Sequence, residues 1–185
     1  MTQLLELALL GNPILRQSAQ KVESIETPDV QQFIDRLIAT AAASHGVGIA
    51  APQARTSSRL FIVASRPNPR YPHAPEMEPT AMINPKILSW GDRVVKDWEG
   101  CLSVPGLRGL VPRHDEIEVE YRDRGGNLQH QILTGFVARI FQHELDHLDG
   151  ILFIDRVETT RDLYSEAEYQ RLLNLQQPFG GSQPK

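Results

Sequence analysis

Cysteine is nearly absent from this chain. One cysteine among 185 residues cannot form an internal disulfide, so the fold must rest on its own core, and a reducing compartment is the natural setting. Long apolar runs are missing too. None approaches the roughly 18 residues needed to cross a bilayer. The short run over residues 4–10 is interrupted by Glu6 and has no basic residue ahead of it, which argues against a secretory signal. Positive charge is not in excess. With 19 basic and 23 acidic side chains, the formal charge is -4 and the pI about 5.9. A nucleic-acid or anionic-membrane surface needs a concentrated positive field, so neither partner is expected. Trp90 and Trp98 are too few to suggest a base-stacking platform. There is no G-x-S-x-G elbow, no G-x-G-x-x-G fingerprint and no phosphate-loop Gly-Lys-Ser/Thr.

What is present reads as one intracellular globular domain. Apolar residues make up 41% and charged residues 23%, which excludes the disordered and fibrous classes. Thr27, Pro28 and Asp29 form a helix start. Val30, Phe33, Ile34, Leu37, Ile38 and Ala41 continue it as one apolar stripe that stops at His45-Gly46. Residues 46–53 carry two glycines, small side chains and a proline, a composition suited to closely approaching backbone rather than a regular element. Residues 60–64 read as a buried strand. Residues 65–79 hold five prolines and read as a surface loop.

Short strands are expected at 80–84 and 86–88, with a weaker one at 92–96. Ile117, Val119 and Tyr121 alternate with charged residues as a half-wet strand, and the turn at 123–127 returns the chain through 128–132. A second helix is expected over 134–148, with Gly150 closing it. A third should begin at Ser165, where Ser165 and Glu168 have capping-box spacing and Tyr169, Leu172 and Leu173 would pack it down. Short strands with separated helices give an α+β fold of mainly antiparallel strands around a central helix, with further helices toward each end. Residues 1–175 are expected to form one catalytic domain, and 176–185 a frayed tail.

The segment His143-Glu144-Leu145-Asp146-His147 bears the chemistry. Residues four apart stand one turn above each other on a helix, so both imidazoles can reach one metal ion. Glu144, beside the first of them, can then act on a water as general base. A solvated face with two ordinary histidines is the alternative. It does not explain why the cluster follows directly on Phe136, Val137, Ile140 and Phe141. Such a site needs a third protein ligand and an open position. Cys101, in the turn-like Glu99-Gly100-Cys101-Leu102-Ser103, is the better candidate, against the reading of a lone cysteine as a small buried hydrophobe.

Three stretches in this order resemble the peptide deformylase family: Gly46-Val47-Gly48-Ile49-Ala50-Ala51-Pro52-Gln53, Glu99-Gly100-Cys101-Leu102-Ser103, and Gln142-His143-Glu144-Leu145-Asp146-His147-Leu148-Asp149-Gly150. Secondary likenesses at 11–16, 104–108 and 152–156 extend the match over most of residues 11–156. The proline-rich residues 67–79 look like an insertion found in part of the family. The resemblance implies removal of the N-formyl group from formyl-Met peptides and nascent chains, with release of formate. It implies one divalent metal held by Cys101, His143 and His147, characteristically Fe(II), with Ni, Co or Zn able to take its place. Glu144 would be general base and then general acid, while the Gln53 amide and the Leu102 backbone N–H would face the oxyanion. Val47, Gly48, Phe136 and Ile140 would border a methionine pocket, with Glu99 orienting its neighbours and Arg108 supporting the site or the bound peptide. A monomer is expected, in a bacterial cytosol rather than an organelle, meeting the ribosome only transiently.

Blander readings stand beside these. Gln53 could bond only its own loop backbone, and Val47, Phe136 and Ile140 could be ordinary core. A general metallopeptidase, or a metal-stabilised module that binds N-terminal methionine without turnover, could use the same helix.

Overall fold

The computed structural model describes residues 3–68 and 71–176. The tail expected over 176–185 lies almost wholly outside them. Helix α1 spans Pro28–Ala43 with proline in its first turn. Thr27 occupies the cap position, but its hydroxyl donates to the Ser24 carbonyl at 3.2 Å instead of capping the helix. The glycine-rich segment is more regular than its composition suggested. It forms a short strand, β1 (Gly48–Ala50), followed by a 3-10 turn over Ala51–Ala54.

Strands β2 (Leu60–Val63) and β3 (Thr80–Trp90) come next. Strand β3 runs through Pro85 where two strands were expected. Its register with the neighbouring strand shifts between Ile83 and Lys86, and Asn84 has φ 51°. Asn84 stays in place because its side chain accepts from the Val22 N–H (2.9 Å) and donates to the Val22 carbonyl (2.8 Å). Strand β4 covers Val94–Cys101, and β5 covers Val104–His114. The hairpin read from alternation is β6 (Glu116–Arg122) and β7 (Leu128–Thr134). Helix α2 (Gly135–Leu148) follows, then the one-turn α3 (Phe153–Arg156), β8 (Leu163–Ser165) and α4 (Glu166–Gln176). Of the capping box read at Ser165 one half is present, the hydroxyl accepting from the Glu168 N–H at 3.3 Å, while the Glu168 carboxylate turns to Arg171.

Two antiparallel sheets result, one ordered β1-β2-β3-β6-β7 and the other β4-β5-β8. Strand β2 is buried throughout because its side chains serve two cores. Leu60 and Ile62 pack with Ile34, Leu37 and Ala41 of α1, whereas Phe61 and Val63 pack with Ala138, Ile140 and Phe141 of α2. The five-stranded sheet is therefore covered on both faces in this region, which removes polar alternation from the sequence. Strand β7 is mostly exposed, with only Leu133 buried, so little in its sequence has to alternate between apolar and polar.

The N-terminal segment holds the glycine, cysteine and histidine stretches together. Ala8 donates its backbone N–H to the Gln53 carbonyl (2.7 Å), Leu10 to Ser103 (2.7 Å) and Ala19 to Leu148 (2.7 Å). Gly150, at φ 75°, turns the chain away from α2. A Cβ there would come within 2.8 Å of the Arg16 backbone, so the position has no room for a side chain.

Candidate metal centre

Helix α2 places His143, Glu144 and His147 on the face turned toward the end of β4. The two imidazole rings are 5.0 Å apart between centroids, as their one-turn spacing requires. Cys101 ends β4, where the pairing with β5 shifts register after Glu99. Its Sγ lies 3.2 Å from His147 Nε2. The Cys101, His143 and His147 donor atoms all fall within 4.8 Å of one another. Three ligands sharing one ion at about 2.0–2.3 Å would sit at comparable mutual distances.

The donor chemistry suits a divalent transition metal: a soft sulfur, two imidazoles and a neighbouring carboxylate that does not compete for them. Two buried atoms, Glu144 Oε2 and His147 Nδ1, have no hydrogen-bond partner among the described residues. Buried polar atoms are ordinarily paired, so an unpartnered carboxylate oxygen beside three convergent donors fits a centre that works on a bound polar group.

Electrostatics prepare the donors unequally. Burial pulls His147 well below the usual histidine range, and the positive charges of His143 and Arg113 add to the effect. Its imidazole is thereby neutral, the form that can donate a lone pair. For His143 burial also pulls down, but hydrogen bonds with Cys101 and Glu99 outweigh it and hold the proton well above the ordinary range. A carboxylate can only accept, so the 2.8 Å contact to Glu99 Oε2 keeps one ring proton on His143 Nδ1, and Nε2, turned toward the cysteine, is the nitrogen that gives up its proton to a metal ion. Burial pushes Glu144 up to about 7, the range suited to a group that takes and returns a proton near neutrality. A bound cation would pull it back down.

Glu99 sits at the centre of a buried charge network that the sequence did not reveal. Its carboxylate accepts from Arg113 Nε (2.9 Å) and Nη2 (3.0 Å), and from Arg139 Nη1 (2.8 Å). Burial alone would raise its pKa. Arg113 and His143 overcome that and hold it below the usual carboxylate range. Arg113 continues to Asp146 at 2.6 Å, and Asp146 accepts from Arg156 at 2.7 Å. Arg139 stands four residues before His143 on α2, so helical spacing could have found it. Arg113 becomes visible only once the β4–β5 hairpin is known.

Gln53 uses both ends of its amide. Oε1 accepts from the Ala50 N–H at 2.8 Å, which orients Nε2 toward Cys101 Sγ (3.4 Å) and Ser103 Oγ (3.3 Å). The bond to its own loop and the aim at the centre are thus one arrangement. Leu102 lies in the turn after Cys101 and approaches Gly46, where a Cβ would come within 3.4 Å of Leu102 Cδ1. Gly48 lies hard against Glu144. A Cβ there would collide with the carboxylate and meet Ile140 Cγ2 at 2.9 Å.

Val47, Phe136 and Ile140 line a small cavity beside His143 and Glu144. Tyr71, Trp98 and Arg139 line it as well, and none of these three was singled out for it from sequence. Arg108 is not among the lining residues. It is 3% exposed and paired with Glu166.

Residues 4–162 match the family model described as polypeptide deformylase. A peptide deformylase 2 from a Nostoc species is 68% identical over 171 residues, covering 92% of this chain and 96% of its own. One from Shewanella oneidensis is 47% identical over 152 residues, covering 82% and 83%. Among solved structures, a Met-Ala-Ser-bound class I type b peptide deformylase from Acinetobacter baumannii superimposes with TM-score 0.83 at 46% identity. That match covers 85% of this chain and all of the other.

Proposed function

The chain belongs to the peptide deformylase family, and we propose that Cys101, His143 and His147 hold the divalent metal with which it removes the N-formyl group of N-formylmethionine from newly made polypeptides. The observation that carries this assignment of ligands is the convergence of one sulfur and two imidazoles within 4.8 Å, with the unpartnered Glu144 carboxylate beside them. Fe(II) is the resident ion in this reading. The donor set also accepts Ni, Co or Zn, so the choice of iron rests on the likeness to the family.

When bound, the ion supplies a Lewis acid that lowers the pKa of water and polarises the formyl carbonyl. Glu144 takes the proton of the attacking water on its unpartnered oxygen and delivers it to the leaving amine, base first and acid second. Gln53 Nε2 and the backbone N–H of Leu102 donate to the formyl oxygen as negative charge grows on it. Removing one such donor typically costs about 3 kcal/mol of transition-state stabilisation. Glu99 keeps the His143 ring in one orientation and one tautomer, the usual contribution of a carboxylate behind a histidine ligand. Val47, Phe136 and Ile140 receive the methionine side chain, with each buried CH2 worth about 0.8 kcal/mol. Gly48 leaves the space that Glu144 occupies. The Met-Ala-Ser bound by the Acinetobacter enzyme supports peptides beginning in methionine as the product class.

Residues 1–175 work as a single monomeric catalytic domain in a bacterial cytosol, meeting nascent chains transiently at the ribosome. The bacterial sources of the similar proteins support the compartment. Anaerobic purification with metal analysis, paired with a formate-release assay on formyl-Met-Ala-Ser, tests the reading. About one metal per chain and formate release are expected. Cleavage of an unformylated internal bond would indicate a general peptidase instead, and peptide binding without turnover would indicate a recognition module.

A further inference from the structure

The geometry points to Tyr71, carried by the proline-rich insertion, as a specificity-determining wall of the methionine pocket, held there by Arg108. The inference rests on the deformylase reading and extends it to a residue outside the family-like stretches.

Three sides of the cavity come from the elements that build the metal centre: Val47 before β1, Trp98 on β4, and Phe136 with Ile140 on α2. The remaining side is the ring of Tyr71, whose centroid lies 5.0 Å from that of Phe136 at an interplanar angle of 50°. Its backbone is fixed. Asn68 and Tyr71 exchange both main-chain hydrogen bonds (3.2 and 3.0 Å), and Asn68 Oδ1 accepts a further one from the Tyr71 N–H (3.1 Å). Closer to the sheet, Ser65 Oγ donates to the Pro75 carbonyl (2.6 Å), and Met77 donates its N–H to the Ser65 carbonyl (3.0 Å) while packing against the α2 core.

The other end of the ring is held by Arg108. Its Nη1 donates to the Tyr71 hydroxyl at 3.3 Å, and its guanidinium lies over the rings of Tyr71 (5.9 Å) and Tyr169 (5.2 Å). Nε and Nη2 engage the carboxylate of Glu166 at the start of α4, at 2.7 and 3.3 Å. A Cβ at Gly100 would fall 2.6 Å from Arg108 Nη1, so this arginine runs directly against the strand that carries Glu99 and Cys101. Arg108 thus links α4 to the insertion, and its directional contacts are with Glu166 and Tyr71.

An unbranched thioether suits a pocket edged by a packed aromatic pair, because its torsions adapt and sulfur is favoured near ring edges. A rigid, bulkier side chain needs Tyr71 displaced, against the anchoring just described. Hydrophobic pockets discriminate by roughly 10- to 200-fold per misfitted group. That range sets the size of the effect.

The test compares wild type, Tyr71→Ala and Tyr71→Phe on formyl-Met-Ala-Ser and formyl-Phe-Ala-Ser. In Tyr71→Ala the ratio of kcat/KM values should move toward the phenylalanine peptide by about tenfold, chiefly through a lower KM for that peptide, which no longer has to displace the ring. Tyr71→Phe keeps the ring and should keep most of the preference. If the alanine variant does not fold, Tyr71→Leu replaces it with the same expectation. Calorimetric affinities for Met-Ala-Ser and Phe-Ala-Ser read the same wall without turnover, so a wild type that releases no formate would defeat the functional reading and leave this inference measurable. A folded Tyr71→Ala protein with the wild-type ratio, or with both substrates weakened equally, would overturn it.

Discussion

His143 donates its Nδ1–H to Glu99 Oε2 across 2.8 Å, joining α2 to β4 two residues before Cys101. The two elements that carry the candidate ligands are therefore fastened through a ligand itself. Arg113 and Arg139 fasten the same carboxylate from its other side.

Replacing Glu99 by Gln should act on metal and fold together. Loss of a carboxylate behind a histidine ligand typically weakens metal affinity by about 10- to 100-fold. Breaking one partner out of a buried ion pair costs about 3–5 kcal/mol, because the cations opposite are left uncompensated. Chelator competition with Ni or Zn measures the first effect, and the denaturation midpoint of the metal-free protein measures the second. A variant that matches wild type in both would remove Glu99 from its assigned place.

Glu144→Ala should bind metal and lose nearly all turnover. The carboxylate lies beside the donors without being one of them, and its Oε2 has no partner among the described residues. General acid–base groups contribute about 10²–10⁴-fold, and here one group serves both steps. Metal content and single-turnover formate release on the same preparation check this. Ordinary turnover would defeat the assignment.

Cys101→Ser should change the centre rather than the fold, since serine is close in size and the position is nearly buried. Exchanging a thiolate for a poorer ligand should lower metal content and shift the absorption of a cobalt-loaded sample. In the wild type, an Fe(II) preparation exposed to air should lose activity as metal or thiol is oxidised. Unchanged cobalt absorption in the serine variant would mean that the sulfur does not coordinate.

Gly48→Ala should damage the reaction without touching a ligand. The added methyl occupies the space of the Glu144 carboxylate and crowds Ile140. Activity should fall with metal content retained, and a crystal structure of the variant should show Glu144 displaced. Wild-type kinetics would show that the close approach at Gly48 does not matter.

The sequence spoke most clearly where one local period decided the structure. Helix α2 and strand β6 were readable because their apolar spacing and their final side-chain positions come from the same stretch. Strand β5 was not, because Pro105, Gly106, Gly109 and Pro112 suppress its local strand signal. Pro112 is tolerated because β8 pairs only along Leu107–Gly109, so its surroundings have a strand neighbour on one side alone. Strand β1 was hidden by small residues whose packing against Glu144 and Ile140 is a tertiary matter. The motif at His143 announced a metal site, and Arg139 lies one helical turn before it, but Arg113 reaches Glu99 only through the β4–β5 hairpin, which nothing in the local order of residues announces. Arg108 shows the same limit. The family likeness implied support of the site or of the bound peptide, while its Glu166 and Tyr71 contacts depend on how α4 and the proline-rich loop fold back.

The ligand set can be read directly by X-ray absorption spectroscopy at the metal edge of the anaerobically loaded protein. One sulfur at about 2.3 Å together with nitrogen or oxygen neighbours at about 2.0–2.2 Å is the predicted shell. A shell without sulfur in an active, fully loaded sample would contradict it.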